Sequence, residues 1–364
     1  MKNRIYIAIS IFFLLTLALS GCSDFFTINN NLVIYESSTT AVNYTITYGY
    51  KIKCTGQGKY SIYYDLDLPE VLKGKILSTD INNNNYDLVN IATFNNIIRW
   101  DFNSSNTTDY NLLVTAYVEC KSYLISDLNG AGALTIDEIN KQYPNLVNQF
   151  CKAQSNKTTI FINPFDPAVI QLTSEIYTNI KTNNSFLVAK ELFKWLKQHT
   201  TYKAHDLNDN EIQSANTTLI RKTGDCDDLS FLYISLCRSL NIPSRFIRGF
   251  LLDENYVVQH VWVEVFVGGG IGKDGWIPVE CAGISNNAEI EINQNFGIEN
   301  ALHLRLFKDD GSNESLNFSF SGITYKIFSE NRFIDIKFYS NITNYLVTKS
   351  QQLIVDENKN RSYN

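Results

Sequence analysis

The stretch from Arg221 to Glu280 constrains the fold more than any other part of the chain. Gly224-Asp225 precede Cys226, and Leu229, Leu232, Tyr233, Leu236 and Leu240 then recur at helical spacing. That spacing predicts a buried helix with Cys226 in its first turn. Asn241-Ile242-Pro243 must end it, because proline cannot continue a helix. A strict alternation follows: His260, Trp262, Glu264 and Phe266 on one face, Val261, Val263, Val265 and Val267 on the other. This is a strand with one apolar face. The Gly-rich run 268–275 reads as a turn, and Trp276-Ile277-Pro278-Val279-Glu280 as the returning strand of a hairpin. If residue 260 pairs at or near residue 280, even-numbered residues face one another, so His260 and Glu280 become cross-strand neighbours. Cys281 then points to the opposite face.

Each side chain has a chemical reason to stand there. A helix N-terminus offers unpaired N–H groups and partial positive charge, which favour a thiolate and can receive an oxyanion. Asp227 and Asp228 oppose thiolate formation, so Cys226 needs a basic partner. His260 supplies one, and Glu280 would orient its ring and stabilise the imidazolium: nucleophile, base and orienting acid. Asp228 and Trp262 are candidates for oxyanion or supporting roles. Trp195 is a third, although its place in the apolar stripe Leu187, Leu192, Trp195, Leu196 reads chiefly as core. Cys237, deep in the helix, reads as a core thiol.

Gly224-Asp225-Cys226-Asp227-Asp228, Ile242-Pro243-Ser244-Arg245, His260-Val261-Trp262 and Trp276-Ile277-Pro278-Val279-Glu280, in this order, resemble the transglutaminase-like superfamily. The resemblance covers residues 185–300 and is closest to exported prokaryotic members. It implies a papain-like α+β core with a Cys-His-Asp triad at Cys226, His260 and Glu280. Glu280 departs from the family's usual Asp. One methylene longer, it can orient the ring only from a strand set slightly farther away.

Around this core a multidomain chain is expected. Lys2 and Arg4 precede the apolar run Ile5 to Leu19 and then Ser20-Gly21-Cys22, a lipoprotein-type signal peptide over 1–22 with Cys22 as the acylated residue. Residues 23–130 alternate as β-strands, for example Tyr44, Ile46, Tyr48, Tyr50, Ile52 and Cys54, and read as a β-sandwich-like domain. Cys54 and Cys120 fall on its apolar face and are expected to form a disulfide. Thr135-Ile136-Asp137-Glu138 has capping-box form, and Asp166-Pro167 and Ser185 read as further helix starts in the enzyme domain, 131–300. A C-terminal β extension over 301–350, including a strand Leu316 to Phe320, and a frayed polar tail, 351–364, complete the chain.

At 364 residues with a net charge of −6 the chain carries no basic footprint, which excludes nucleic acid as an expected partner. Four His, none at metal-ligand spacing with another His or a Cys pair, leave no expected metal, and nothing calls for a cofactor. Function is expected to be that of a lipid-tethered envelope enzyme that attacks peptide or carboxamide bonds through an acyl-thioester. Its substrate would be a surface protein or cell-wall peptide, and its outcome hydrolysis or transamidation. The alternative is a catalytically silent module that binds peptides or surface proteins in the same cleft.

Overall fold

The computed structural model of the chain describes residues 26–29, 32–82, 85–91, 95–152, 161–205, 212–311 and 324–364. The expected signal peptide with Cys22, and the expected strand Leu316 to Phe320, lie outside these. Seven strands come first: β1 (Phe26–Asn29), β2 (Leu32–Gly56), β3 (Tyr60–Asp67), β4 (Gly74–Ile81), β5 (Asp87–Ile91), β6 (Asn95–Ser104) and β7 (Asp109–Lys121). Helices α1 (Ile136–Gln142), α2 (Pro167–Ile180), α3 (Ser185–His199), α4 (Ala215–Arg221) and α5 (Cys226–Ser239) follow. Then come β8 (Ser244–Asp253), β9 (Tyr256–Phe266), β10 (Trp276–Val279), α6 (Ala288–Asn295), β11 (His303–Lys308), β12 (Thr324–Ile327), β13 (Arg332–Val355) and β14 (Arg361–Tyr363).

The helix starts follow their capping chemistry. Thr135 and Glu138 form the expected reciprocal capping box, and Asp166 caps α2 with Pro167 at its first position. At α3 the cap is Asn184, whose side chain accepts from the Leu187 N–H, while Ser185 turns inward to donate to the Leu134 carbonyl. Helix α5 runs through the middle of a core built from the apolar faces of α3, α5, β9 and β10. Val261, Val263 and Val265 of β9 bury here, so the alternation read from sequence sets which way His260 points.

The central sheet is antiparallel in the order β10-β9-β8-β11. A six-stranded sheet contains β14-β13-β2-β7-β4, with β1 also on β2, and a four-stranded sheet runs β12-β3-β6-β5. These last two share one apolar core, in which Tyr64 stacks on Trp100 and to which the central sheet adds Phe250, Leu252, Leu304 and Leu306. The C-terminal strands thus complete sheets begun by the N-terminal ones: β13 pairs along nearly the whole 25-residue length of β2.

Two expectations are corrected. Cys54 and Cys120 form no disulfide; both are free, buried thiols. They share an apolar face, but the β2–β7 register pairs Cys120 with Val42 and Asp109 with Lys53. The two cysteines therefore sit at opposite ends of the ladder, twelve residues from Val42 to Cys54, or roughly 40 Å at strand rise. The tail is not frayed. Arg361 is 2% exposed and donates to the carbonyls of Ile125, Asn293 and Phe296, which ties β14 to the core.

Candidate active site

Cys226 is the first residue of α5, and Asp225 is its cap. The Asp225 carboxylate accepts from the N–H groups of Asp227 and Asp228, while Asp228 reaches back to the Asp225 N–H. Two of the N–H groups expected to be open to an oxyanion are thereby taken. The Cys226 N–H, at the first helical position, has no partner within the helix. Asp228 is fully buried and also accepts from the Gln213 backbone and side-chain amides and from His205 Nε2 at 2.8 Å. Its work is to lock the turn, which Gly224 makes room for: a Cβ there would lie 2.4 Å from that of Asp228. A cavity of about 330 Å³ lined by Lys203, His205, Gln213, Arg221, Thr223 and Gly224 opens beside this turn.

The Cys226 side chain is half-buried among Tyr202, Leu251, Ala282 and Leu302. Its thiol donates to Asp227 Oδ1 at 3.6 Å, and the Val261 N–H is directed at the sulfur. Val261 is the neighbour of His260, so the nucleophile lies against the strand that carries the base. Glu280 follows β10. The β9–β10 register matches Val263 with Val279 and Glu264 with Pro278, which makes His260 and Glu280 diagonal neighbours on one face. Glu280 Oε2 lies 2.7 Å from His260 Nε2, and Oε1 accepts from the Ala282 N–H at 2.7 Å. The longer Glu reaches the ring from a residue just past the paired strand. With Nε2 engaged, Nδ1 is the ring nitrogen left for a thiol proton.

Trp262 backs the histidine. Its ring stacks on His260 with centroids 5.9 Å apart, and its Nε1 donates to Glu299 at 2.7 Å. Opposite His260, Gly249 admits this ring: a Cβ there would sit 3.0 Å from the Trp262 ring and 2.0 Å from the Leu304 carbonyl oxygen. Glu299 is bound by Arg305, Arg305 by Glu264, and Glu264 by Arg245, all buried or nearly so. Trp195 lies elsewhere. Its ring stacks on His199, carries the Lys222 ammonium and lines the groove between α2 and α3.

Burial pushes the Cys226 thiol well above its ordinary value, and the Asp227 and Asp225 carboxylates add to the rise. Burial and the Asp227 and Asp228 carboxylates push Asp225 itself up to about 7. Burial alone would lower the affinity of His260 for a proton, but the Glu280 carboxylate outweighs it and the net shift is upward. Burial likewise opposes ionisation of Glu280, yet His260 and His303 hold it well below the usual carboxylate range.

Sequence reasoning singled out Cys226, His260 and Glu280; the fold hydrogen-bonds the last two and sets the Cys226 sulfur against the Val261 backbone next to His260, while Asp228 locks the turn and Trp262 stacks on His260. It missed His303, whose Nε2 lies 3.1 Å from Glu280 Oε2. It also missed Lys197, which donates to the carbonyls of Cys281 and Gly283 and pairs with Glu291, pinning the loop after Glu280. Lys197 breaks an apolar stripe, a signal that could have marked it. His303 carried none, because its strand lies outside the recognised motifs. The ligand atoms of His260, Glu280 and His303, like those of His205, Asp225 and Asp228, lie within 4.8 Å of one another. Hydrogen bonds link His260 and His303 to Glu280, and His205 to Asp228; a third such group is Asp225, Cys226 and Asp227.

Residues 170–281 match the family model described as the transglutaminase-like superfamily. No curated protein matches the chain. Among solved structures, a candidate cysteine protease from Cytophaga hutchinsonii is similar over 90% of this chain and 99% of its own, at 14% identity and a TM-score of 0.53. The periplasmic domain of TgpA from Pseudomonas aeruginosa aligns over 67% of this chain and 88% of its own, at 11% identity and a TM-score of 0.32. Residues 170–281, which hold the helix of Cys226, the strand of His260 and Glu280, are a transglutaminase-like core.

Proposed function

We propose that this protein is a cysteine enzyme that opens peptide or carboxamide bonds through an acyl-thioester on Cys226. The observation that carries the proposal is the 2.7 Å bond from Glu280 to His260 Nε2, on a strand whose next N–H is directed at the Cys226 sulfur. The resting thiol is protonated. As sulfur attacks the acyl carbon, His260 Nδ1 takes the thiol proton, and Glu280 stabilises the imidazolium formed. The C–S bond forms, the C–N bond breaks, and the proton passes from His260 to the leaving amine. Water, or a second amine, then attacks the thioester with His260 as base, and the thiol is regenerated. The Cys226 N–H, which has no partner within the helix, would receive the developing oxyanion.

The basic residues, apolar run and Cys22 of the N-terminus support export and a lipid tether, so the substrate would be a surface protein or a cell-wall peptide. Among the described residues no helix is long and apolar enough to cross a membrane. One observation favours a second reading, a silent peptide-binding module: the thiol is hydrogen-bonded to a carboxylate and held protonated. Incubation of the protein with unfolded polypeptide and a fluorescent primary amine separates these outcomes. New termini indicate hydrolysis and incorporated amine indicates transfer, and both must vanish in Cys226→Ala. Tight binding of polypeptide with neither product is the signature of the silent module.

A further inference from the structure

Glu280 is shared by two imidazoles, and the second has no counterpart in the proposed relay. His303, on β11, is 3% exposed, and its Nε2 lies 3.1 Å from the same Oε2 that binds His260. Its other nitrogen, Nδ1, lies 2.7 Å from Asn300 Oδ1. That atom also accepts the Leu302 N–H at 2.9 Å, so it is the amide oxygen; the amide nitrogen in its place would set donor against donor. His303 Nδ1 therefore carries a hydrogen. Nε2 faces a carboxylate oxygen, which can only accept. Both ring nitrogens meet acceptors, and an imidazole meets two acceptors only by carrying two protons.

We infer that His303 is a doubly protonated, positively charged partner of Glu280 and acts as a positioning residue that offsets the pull of Glu280 on a His260 proton, which keeps more of His260 available as the base. The inference rests on the proposed relay for its consequence, though not for its geometry. Without His303, the Glu280 charge acts on His260 alone and draws a proton onto it. With His303, the carboxylate is neutralised, and a second cation with its ring centroid 5.5 Å from that of His260 resists a further one. The other charged groups acting on His260 are Asp225 and Asp227 at the start of α5, both acidic. Trp262 meets His303 edge-on at 4.7 Å and donates to Glu299, so it packs against the pair without competing for Glu280. The Cys120 thiol donates to the His303 carbonyl and adds no charge to the ring.

The test is a nitrogen-15 NMR titration of histidine-labelled protein; the chain has only four histidines, and His303→Gln assigns one of them by its loss. At pH 7 both ring nitrogens of His303 are expected to show the protonated signature. In His303→Gln, whose amide can still donate to Glu280, the midpoint of His260 is expected to rise by about one pH unit, tenfold in proton affinity. A neutral His303 with a bare Nε2, or a His260 midpoint that stays or falls in the variant, overturns the inference. If the variant does not fold, the wild-type ring signals still decide. These signals need no turnover: a protein with a charged His303 and an inert thiol would sink the enzyme reading alone.

Discussion

Two buried charge clusters flank the candidate site, and they are built on opposite rules. Behind Trp262, Arg245, Glu264, Arg305 and Glu299 alternate in sign, two of each, within hydrogen-bonding distance. Burial opposes ionisation of Glu264, but Arg305 and Arg245 outweigh it and bring the group down to about 2. Around Cys226 acids predominate: Asp225, Asp227 and Asp228 crowd one turn, with His205 against Asp225 and Asp228 and the charges of His260 and Arg248 acting on Asp227. There burial and mutual repulsion hold protons on, at Asp225 up to about 7 and at the thiol well above its usual value. The balanced cluster fixes geometry, while the unbalanced one keeps exchangeable protons beside the nucleophile.

Breaking the balanced cluster should have the largest effect. Arg305→Leu leaves Glu299 buried without a counter-charge and Glu264 with Arg245 alone, and should cost about 3–5 kcal/mol in urea unfolding. A loss under 1 kcal/mol would mean that the network contributes little. The unbalanced cluster should respond oppositely. The folded-state value of Asp225 is raised, so its contribution is full below about 4 and is lost as pH rises through about 7. Stability should therefore fall across that window, and Asp225→Asn, which keeps a capping side chain, should flatten the fall by on the order of a few kcal/mol. An unchanged slope would remove Asp225 as its source. Glu264 works the other way: its contribution, present above about 4.5, is lost as pH falls toward about 2.

Asp227→Asn sharpens the comparison at smaller scale. It removes one of the charges that raise the thiol, so iodoacetamide should alkylate Cys226 severalfold faster at pH 8, with stability changed by less than about 1 kcal/mol. Slower alkylation would show that Asp227 activates the thiol. The smallest signal is a count. Thiol titration in denaturant should give the same number with and without prior reduction, as Cys54 and Cys120 are unpaired. A difference of two would restore the disulfide.

Local patterns marked the site because each of its parts carries a signal of its own. The cap and apolar spacing placed Cys226, strand parity placed His260, and the parity of the returning strand placed Glu280 beside it. The same parity argument misled for Cys54 and Cys120. Parity tells which face a residue occupies, whereas the distance along a ladder depends on register, and a 25-residue strand leaves ample room for error. Arg361 and His303 were hidden for another reason. Their partners are Ile125 and Glu280, and nothing in a polar tail or a short strand outside the motifs marks such a partner.

The central claim is that Cys226 becomes acylated with His260 as its base, and intact-protein mass spectrometry after brief exposure to p-nitrophenyl acetate tests it directly. One acetyl group on Cys226, labile to hydroxylamine and formed at least about 100-fold more slowly in His260→Ala, is the predicted result. An unmodified Cys226, or equal rates in the two proteins, would contradict it.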